Sequence, residues 1–292
     1  MREKQSNAGP SASMAPVGTP RLSRFTYADI SARSAELRVI LAERRVRFHR
    51  DSALGKLLRD AERLAKDWED GRRDQGIRQL VNSAHANRIA EAILEVRSDP
   101  DAQQCLLRIA GNDVDLSRRG QSQGKDHLWE LDLLLTLRRR GMACELVDPP
   151  DIVATLAGAS FPIACKKVYS EKGVEAQMRR GVKQLEGQAG GLVAFNIDDL
   201  VPDDHLLTGR SQEAVSNFLF DFNQAFIERH RFMLQRYVLA GRCDGILVST
   251  SVVADIETLA PRFNLVSEST LWTVEGAGDG ARARFAELRN IL

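Results

Sequence analysis

Polar residues interrupt an apolar stretch of this chain at positions where packing alone would not put them. Asp151 follows Pro150 at the entrance to the run DIVATLAG, and Lys166 and Lys167 come late in FPIACKKVY, after Ile163, Ala164 and Cys165. A lysine within an apolar strand is costly unless its tip reaches water or its charge is compensated, and a neighbouring carboxylate would compensate it. Glu130 shares a helix face with Leu133, Leu134 and Leu137, which should turn it inward. Downstream, Gln177, Arg180 and Gln184 follow i, i+3, i+7 spacing and so line one helix face, with Gly181 between them allowing close approach. Residues 166–183 also hold Lys167, Lys172, Arg179 and Lys183 against Glu171 and Glu175, which makes the segment locally basic.

The elements around these residues follow from periodicity. LWELDLLLTLRRRG reads as a helix with leucines on nearly every side, stopped by Gly141. Three strands should follow at 143–147, 151–158 and 161–169, then a helix over 171–186, the strand GGLVAFNI and a long helix over 211–240 ended by Gly241. Strands at 245–253 and 263–274 complete an α/β order with a mixed central sheet flanked by helices. Before them, 25–110 has helical spacing throughout, with Leu54, Leu57, Leu58, Ala61 and Leu64 on one stripe, and the polar, Gly-rich stretch 111–126 reads as a linker. The chain therefore divides into a Ser/Ala/Gly/Pro-rich lead-in (1–20) expected to be disordered, an all-helical N-terminal domain (21–118) and an α/β domain (119–292). Phe218, Phe222 and Phe226 on the long helix suit core or dimer contact, so the helical regions offer surface for a homodimer or a partner protein.

An acidic residue on a buried helix, a strand beginning Pro-Asp, a strand ending apolar-x-x-Lys and a helix carrying Gln resemble, in that order, the PD-(D/E)XK nuclease superfamily. The match spans about Glu130 to Gln184. The resemblance implies a restriction-endonuclease-like fold and metal-dependent hydrolysis of phosphodiester bonds, in DNA or RNA, with Mg²⁺ (or Mn²⁺) as cofactor. It assigns Asp151 to the metal and Lys166 to the attacking water. Glu130 matches the first-helix acid and Gln184 the second-helix glutamine. Ala164 departs from the pattern, which has an acid two residues before the lysine, on the same strand face. Glu130 is then the substitute ligand, completed by the main-chain carbonyl of Cys165 and waters, with Asp148 and Glu145 as weaker alternatives. Lys167, Gln177, Arg180 and Lys183 would contact nucleic acid, although of the two lysines Lys167 is the more readily explained as structural. The same departure leaves open a nuclease-like module that no longer cuts and serves binding or regulation, in DNA processing or phage defence.

Composition narrows the field. The chain has 292 residues, 43% of them hydrophobic, with 41 Lys plus Arg against 40 Asp plus Glu, so any surface for a polyanion must be local. Cys105, Cys144, Cys165 and Cys243 are scattered without a CxxC pair, which indicates neither a zinc site nor a disulfide framework and fits the cytoplasm. No apolar run suits a membrane span or the core of a signal peptide. No phosphate-binding Gly-rich loop, His metal cluster or nucleophile elbow competes with the nuclease reading.

Overall fold

The computed structural model describes residues 12–17, 21–23, 25–202 and 206–292. Five helices come first: α1 (Tyr27–Glu43), α2 (Ala53–Glu69), α3 (Ile77–Glu95), α4 (Gln103–Gly111) and α5 (Gln123–Arg139), after the short strands β1 (Ala12–Pro16) and β2 (Arg21–Ser23). Then come β3 (Cys144–Leu146), β4 (Ile152–Leu156), β5 (Ala159–Lys167), α6 (Val174–Gln184), β6 (Leu192–Asn196) and β7 (Leu207–Gly209). The chain continues through α7 (Gln212–Leu239), β8 (Gly245–Ile256), β9 (Phe263–Val274) and α8 (Asp279–Ile291). Side chains fix several of the boundaries. Thr26 and Asp29 form a reciprocal capping box on α1, Ser52, Ser122 and Ser211 cap α2, α5 and α7, and Gly141 and Gly241 follow α5 and α7 at φ 80° and 66°.

The described strands form a nine-stranded mixed sheet in the order β1-β9-β8-β6-β5-β4-β3, with β2 also on β9 and β7 also on β8. β5, β6 and β8 run parallel, and α6 lies in the crossover between the first two while α7 precedes the third. Alternation along these strands sorts the core into two layers. Ile163, Cys165, Leu192, Ala194 and Leu247 join the cluster formed with α1 to α5, whereas Ala164, Val193, Phe195, Ile246 and Val248 join the cluster under α6 and α7. The N-terminal helices thus share one core with a face of the sheet, across the loop between α4 and α5 where the sequence suggested a boundary.

The lead-in expectation needs correction where it can be compared. Residues 1–11 and 18–20 lie outside the described residues, but Ala12–Pro16 pairs antiparallel with β9, Ala12 opposite Val274 and Pro16 opposite Thr270. Its hydrogen bonds come from a strand far away in sequence, so a poor local propensity did not decide its state. The Phe stripe of α7 also divides: Phe226 is buried against Phe195, while Phe218 and the nearby Phe232 are exposed. No helix among the described residues is long and apolar enough to cross a membrane.

Buried polar groups tie the layers together. Arg88 of α3 pairs with Asp132 of α5 and with Asp198 after β6, the latter at 2.8 Å. Burial alone would raise Asp198, but the charges of Arg88 and Lys167 hold its carboxyl below the usual range. On the other face Asn223 of α7 donates to the carbonyls of Val248 and Glu268 and accepts from the Thr250 hydroxyl at 2.6 Å. Next to it Glu268 is 3% exposed, and burial pushes its carboxyl up to about 7.

That shift sets a pH dependence. The folded protein keeps a proton on Glu268 that the unfolded chain releases near pH ~4.3, so stability is greatest below that value and falls as pH rises toward 7. Urea denaturation at about pH 5 and pH 8 should show this loss, on the order of 1–3 kcal/mol, in the native chain and its near absence in Glu268→Gln. Equal pH slopes for the two proteins would contradict the assignment.

Candidate active site

Antiparallel pairing sets Ile152 opposite Ile163, so Asp151 enters the sheet one residue beyond that pair, level with Ala164. Its carboxylate is enclosed by donors from three parts of the fold. Oδ2 accepts from the Cys165 amide at 2.6 Å and from the Lys166 ammonium at 2.9 Å, and Oδ1 accepts from Gln184 Nε2 at 3.0 Å. The ammonium also donates to the Cys165 carbonyl at 2.6 Å. Both charged side chains are nearly buried, Asp151 at 10% and Lys166 at 11% exposure, so each is the other's principal compensation. The carboxylate that the sequence asked for beside Lys166 is Asp151, whereas the Gln184 bond to it was not expected.

The helix α6 reaches this point because of Gly181. A Cβ there would stand 2.8 Å from Val193 Cγ1 and 3.6 Å from Lys166 Cγ, so only a glycine lets the helix lie this close to β5 and β6. Gln177, Arg180, Lys183 and Gln184 then line a cleft of about 760 Å³ together with Lys166, Glu130 and His127, and Arg108 of α4 lies across from them. Arg180 and Lys183 are exposed, and Gln177 is half-buried. The acids of this region, Glu171 and Glu175, are bound by Arg229 and Arg236 of α7 at 2.8 and 3.0 Å. These α7 arginines neutralise acids that would otherwise offset the basic face.

Glu130 is turned inward, but not toward Asp151 with the oxygen whose partners are defined. Its Oε2 lies 2.7 Å from His127 Nδ1 and 3.6 Å from Cys105 Sγ. Burial pushes the Glu130 carboxyl up, against the hydrogen bond from His127 and with the charge of Asp151 adding to the rise. Burial opposes a charge on His127 as well, yet the hydrogen bond and the charge of Glu130 outweigh it and raise the imidazole. A second cleft, of about 460 Å³, runs from this pair past Asp148 and Glu145 to Asp151. Glu130, Asp148 and Asp151 thus border one space from α5 and from the turn before β4.

Two sequence expectations change. Lys167 points to the opposite face from Lys166, is 4% exposed, and gives its ammonium to Asn196 at 2.6 Å and to Asp199 at 3.0 Å, so it is a buried structural charge and not a phosphate contact. The Cys165 carbonyl, expected to face a cation, is already an acceptor for Lys166. Ala164 is fully buried on the Lys166 face among Val182, Val193 and Met178, so no acid stands beside Asp151 from that position. His127 and Cys105 were not singled out from sequence. His127 is detectable as the i, i+3 partner of Glu130, whereas Cys105 reaches them only through the packing of α4 on α5.

Comparison of the chain with protein-family models, curated proteins and solved structures returns no match.

Because α6 is held by the absence of a Cβ, Gly181→Ala should push it away from Val193 and lengthen the Gln184 to Asp151 hydrogen bond. The expected cost is about 1–3 kcal/mol in denaturant unfolding. An unchanged stability would show that α6 is not pinned at this contact.

Proposed function

We propose that the chain is a metal-dependent nuclease of the restriction-endonuclease-like kind, hydrolysing phosphodiester bonds in DNA or RNA. The observation that carries the reading is the Asp151 carboxylate held by Lys166 and Gln184, two side chains that also line a cleft with Arg180, Lys183 and Arg108. A buried lysine–carboxylate pair is often purely structural, but this lysine borders a cleft where Arg108, Arg180 and Lys183 are available to meet a phosphate.

The donor set fits a hard divalent ion in chemistry. Asp151, Glu130 and Asp148 supply carboxylate oxygens around one space, and Mg²⁺ or Mn²⁺ takes such oxygens together with water. Such an ion, when bound, stabilises charge growing on the phosphoryl oxygens and acidifies a water. The protein's own part is separate. Lys166 has three N–H donors and spends two on Asp151 and the Cys165 carbonyl, which leaves a third to hold the attacking water or a phosphate oxygen. Gln184 fixes the Asp151 carboxylate plane, and the exposed Arg180 and Lys183 hold the flanking phosphates.

A second reading has its own support. Ala164 removes one acid, and the Lys166 ammonium spans Asp151 and the Cys165 carbonyl in the manner of a bound cation. A nuclease-like module that binds nucleic acid or regulates a partner without cutting would look the same.

Cleavage assays on duplex DNA, single-stranded DNA and RNA with Mg²⁺ and Mn²⁺ separate the two. The nuclease reading expects cutting that EDTA abolishes and that falls by at least about a hundredfold in Asp151→Ala and Lys166→Ala. Cutting that is equal in the variants would remove it, and nucleic-acid binding that survives EDTA with no cleavage would favour the second.

A further inference from the structure

We propose that Cys105, His127 and Glu130 form a binding site for a transition-metal ion of the zinc type. The three side chains are the group of His, Cys and carboxylate ligands whose donor atoms converge among the described residues, all within 4.8 Å of one another. The proposal goes beyond the nuclease reading and does not rest on it, since it shares Glu130 but uses neither Asp151 nor Lys166.

Distances carry the argument first. Cys105 Sγ lies 3.6 Å from His127 Nδ1 and 3.6 Å from Glu130 Oε2, and Nδ1 and Oε2 are 2.7 Å apart. Around a tetrahedral zinc ion with ordinary bond lengths, the sulfur-to-nitrogen and sulfur-to-oxygen separations are about 3.5 Å, and nitrogen to oxygen about 3.4 Å. Both sulfur edges therefore already have the separation of ligands. The third has to open by roughly 0.7 Å, the difference between a hydrogen bond and two donors sharing an ion.

The donor types carry it next. A thiolate and an imidazole prefer zinc-like ions to Mg²⁺, which favours oxygen alone. Entry of the ion releases to solvent the thiol proton and the proton held between His127 and Glu130, as metal binding to such ligands does. Three protein ligands leave a fourth position, and this one opens on the cleft of about 460 Å³ that Glu145 and Asp148 also border. Such an open position suits a bound water or a substrate atom.

Rigid elements hold the ligands. His127 and Glu130 are three residues apart on α5, and Cys105 projects from α4. The two helices meet closely at Gly124, where a Cβ would stand 2.7 Å from Val114 Cγ1 and 3.2 Å from the Arg108 carbonyl. The site is therefore set by helix packing and not by a mobile loop.

Titration of the purified full-length chain with Co²⁺ as a spectroscopic stand-in tests this. The expected result is a thiolate-to-cobalt charge-transfer absorption that saturates at one ion per chain and is displaced by Zn²⁺. Cys105→Ser should abolish the absorption. His127→Gln, at a more accessible position, should weaken binding by at least the roughly 10- to 100-fold that loss of a mere outer partner costs. Asp151→Ala, which disables the proposed nuclease, should leave the absorption intact, so failure of one reading is distinguishable from failure of the other. Absence of the absorption from the native chain, its survival in Cys105→Ser, or its loss in Asp151→Ala would each overturn the proposed ligand set.

Discussion

A lysine ammonium at the end of a buried parallel strand must find an anion, and the position of that anion organises the surrounding fold. Lys166 finds Asp151 across the β4–β5 pairing, and the same carboxylate accepts the Cys165 amide and the Gln184 side chain. Removing either charge would strand the other in a nearly dry environment, a loss of about 3–5 kcal/mol for pairs of this kind. A charge pair so expensive to maintain is weak evidence for stability as its purpose. The proposed function gives it another, beside a cleft that Arg108, Arg180 and Lys183 line.

The fold repeats this device elsewhere. Strand alternation sends Lys167 to the opposite side of the sheet from Lys166, where Asp199 and Asn196 take its charge. Arg88 binds the helical layer to the sheet through Asp132 and Asp198. Exposure separates the two lysines: the Lys166 and Asp151 side chains are 11% and 10% exposed, against 2% and 3% for Lys167 and Asp199.

Much of this was readable in the sequence because it depends on local pattern. The short apolar runs around Asp151 and Lys166, bounded by turn residues, pointed to β4 and β5, and leucine on nearly every side of α5 reported its burial between layers. Gln184 was legible from its spacing on α6. What remained hidden depends on partners distant along the chain. Ala12–Pro16 becomes a strand only because β9 offers it an edge, and the lead-in composition carries no trace of that. Cys105 has no neighbour in sequence to mark it and meets His127 and Glu130 only when α4 packs on α5. The direction of Lys167 follows from strand phase, but its partners lie after β6 and could not be named.

Asp151 is proposed as the anchor of a cation-assisted phosphodiesterase site, beside the space that Glu130 and Asp148 also border, with Lys166 kept on its carboxylate. Anomalous diffraction from crystals equilibrated with Mn²⁺ examines this at the atoms concerned. The expected result is a manganese peak within about 2.5 Å of an Asp151 carboxylate oxygen, in the space that Glu130 and Asp148 border. A manganese-soaked crystal with no peak at Asp151 would contradict the proposal.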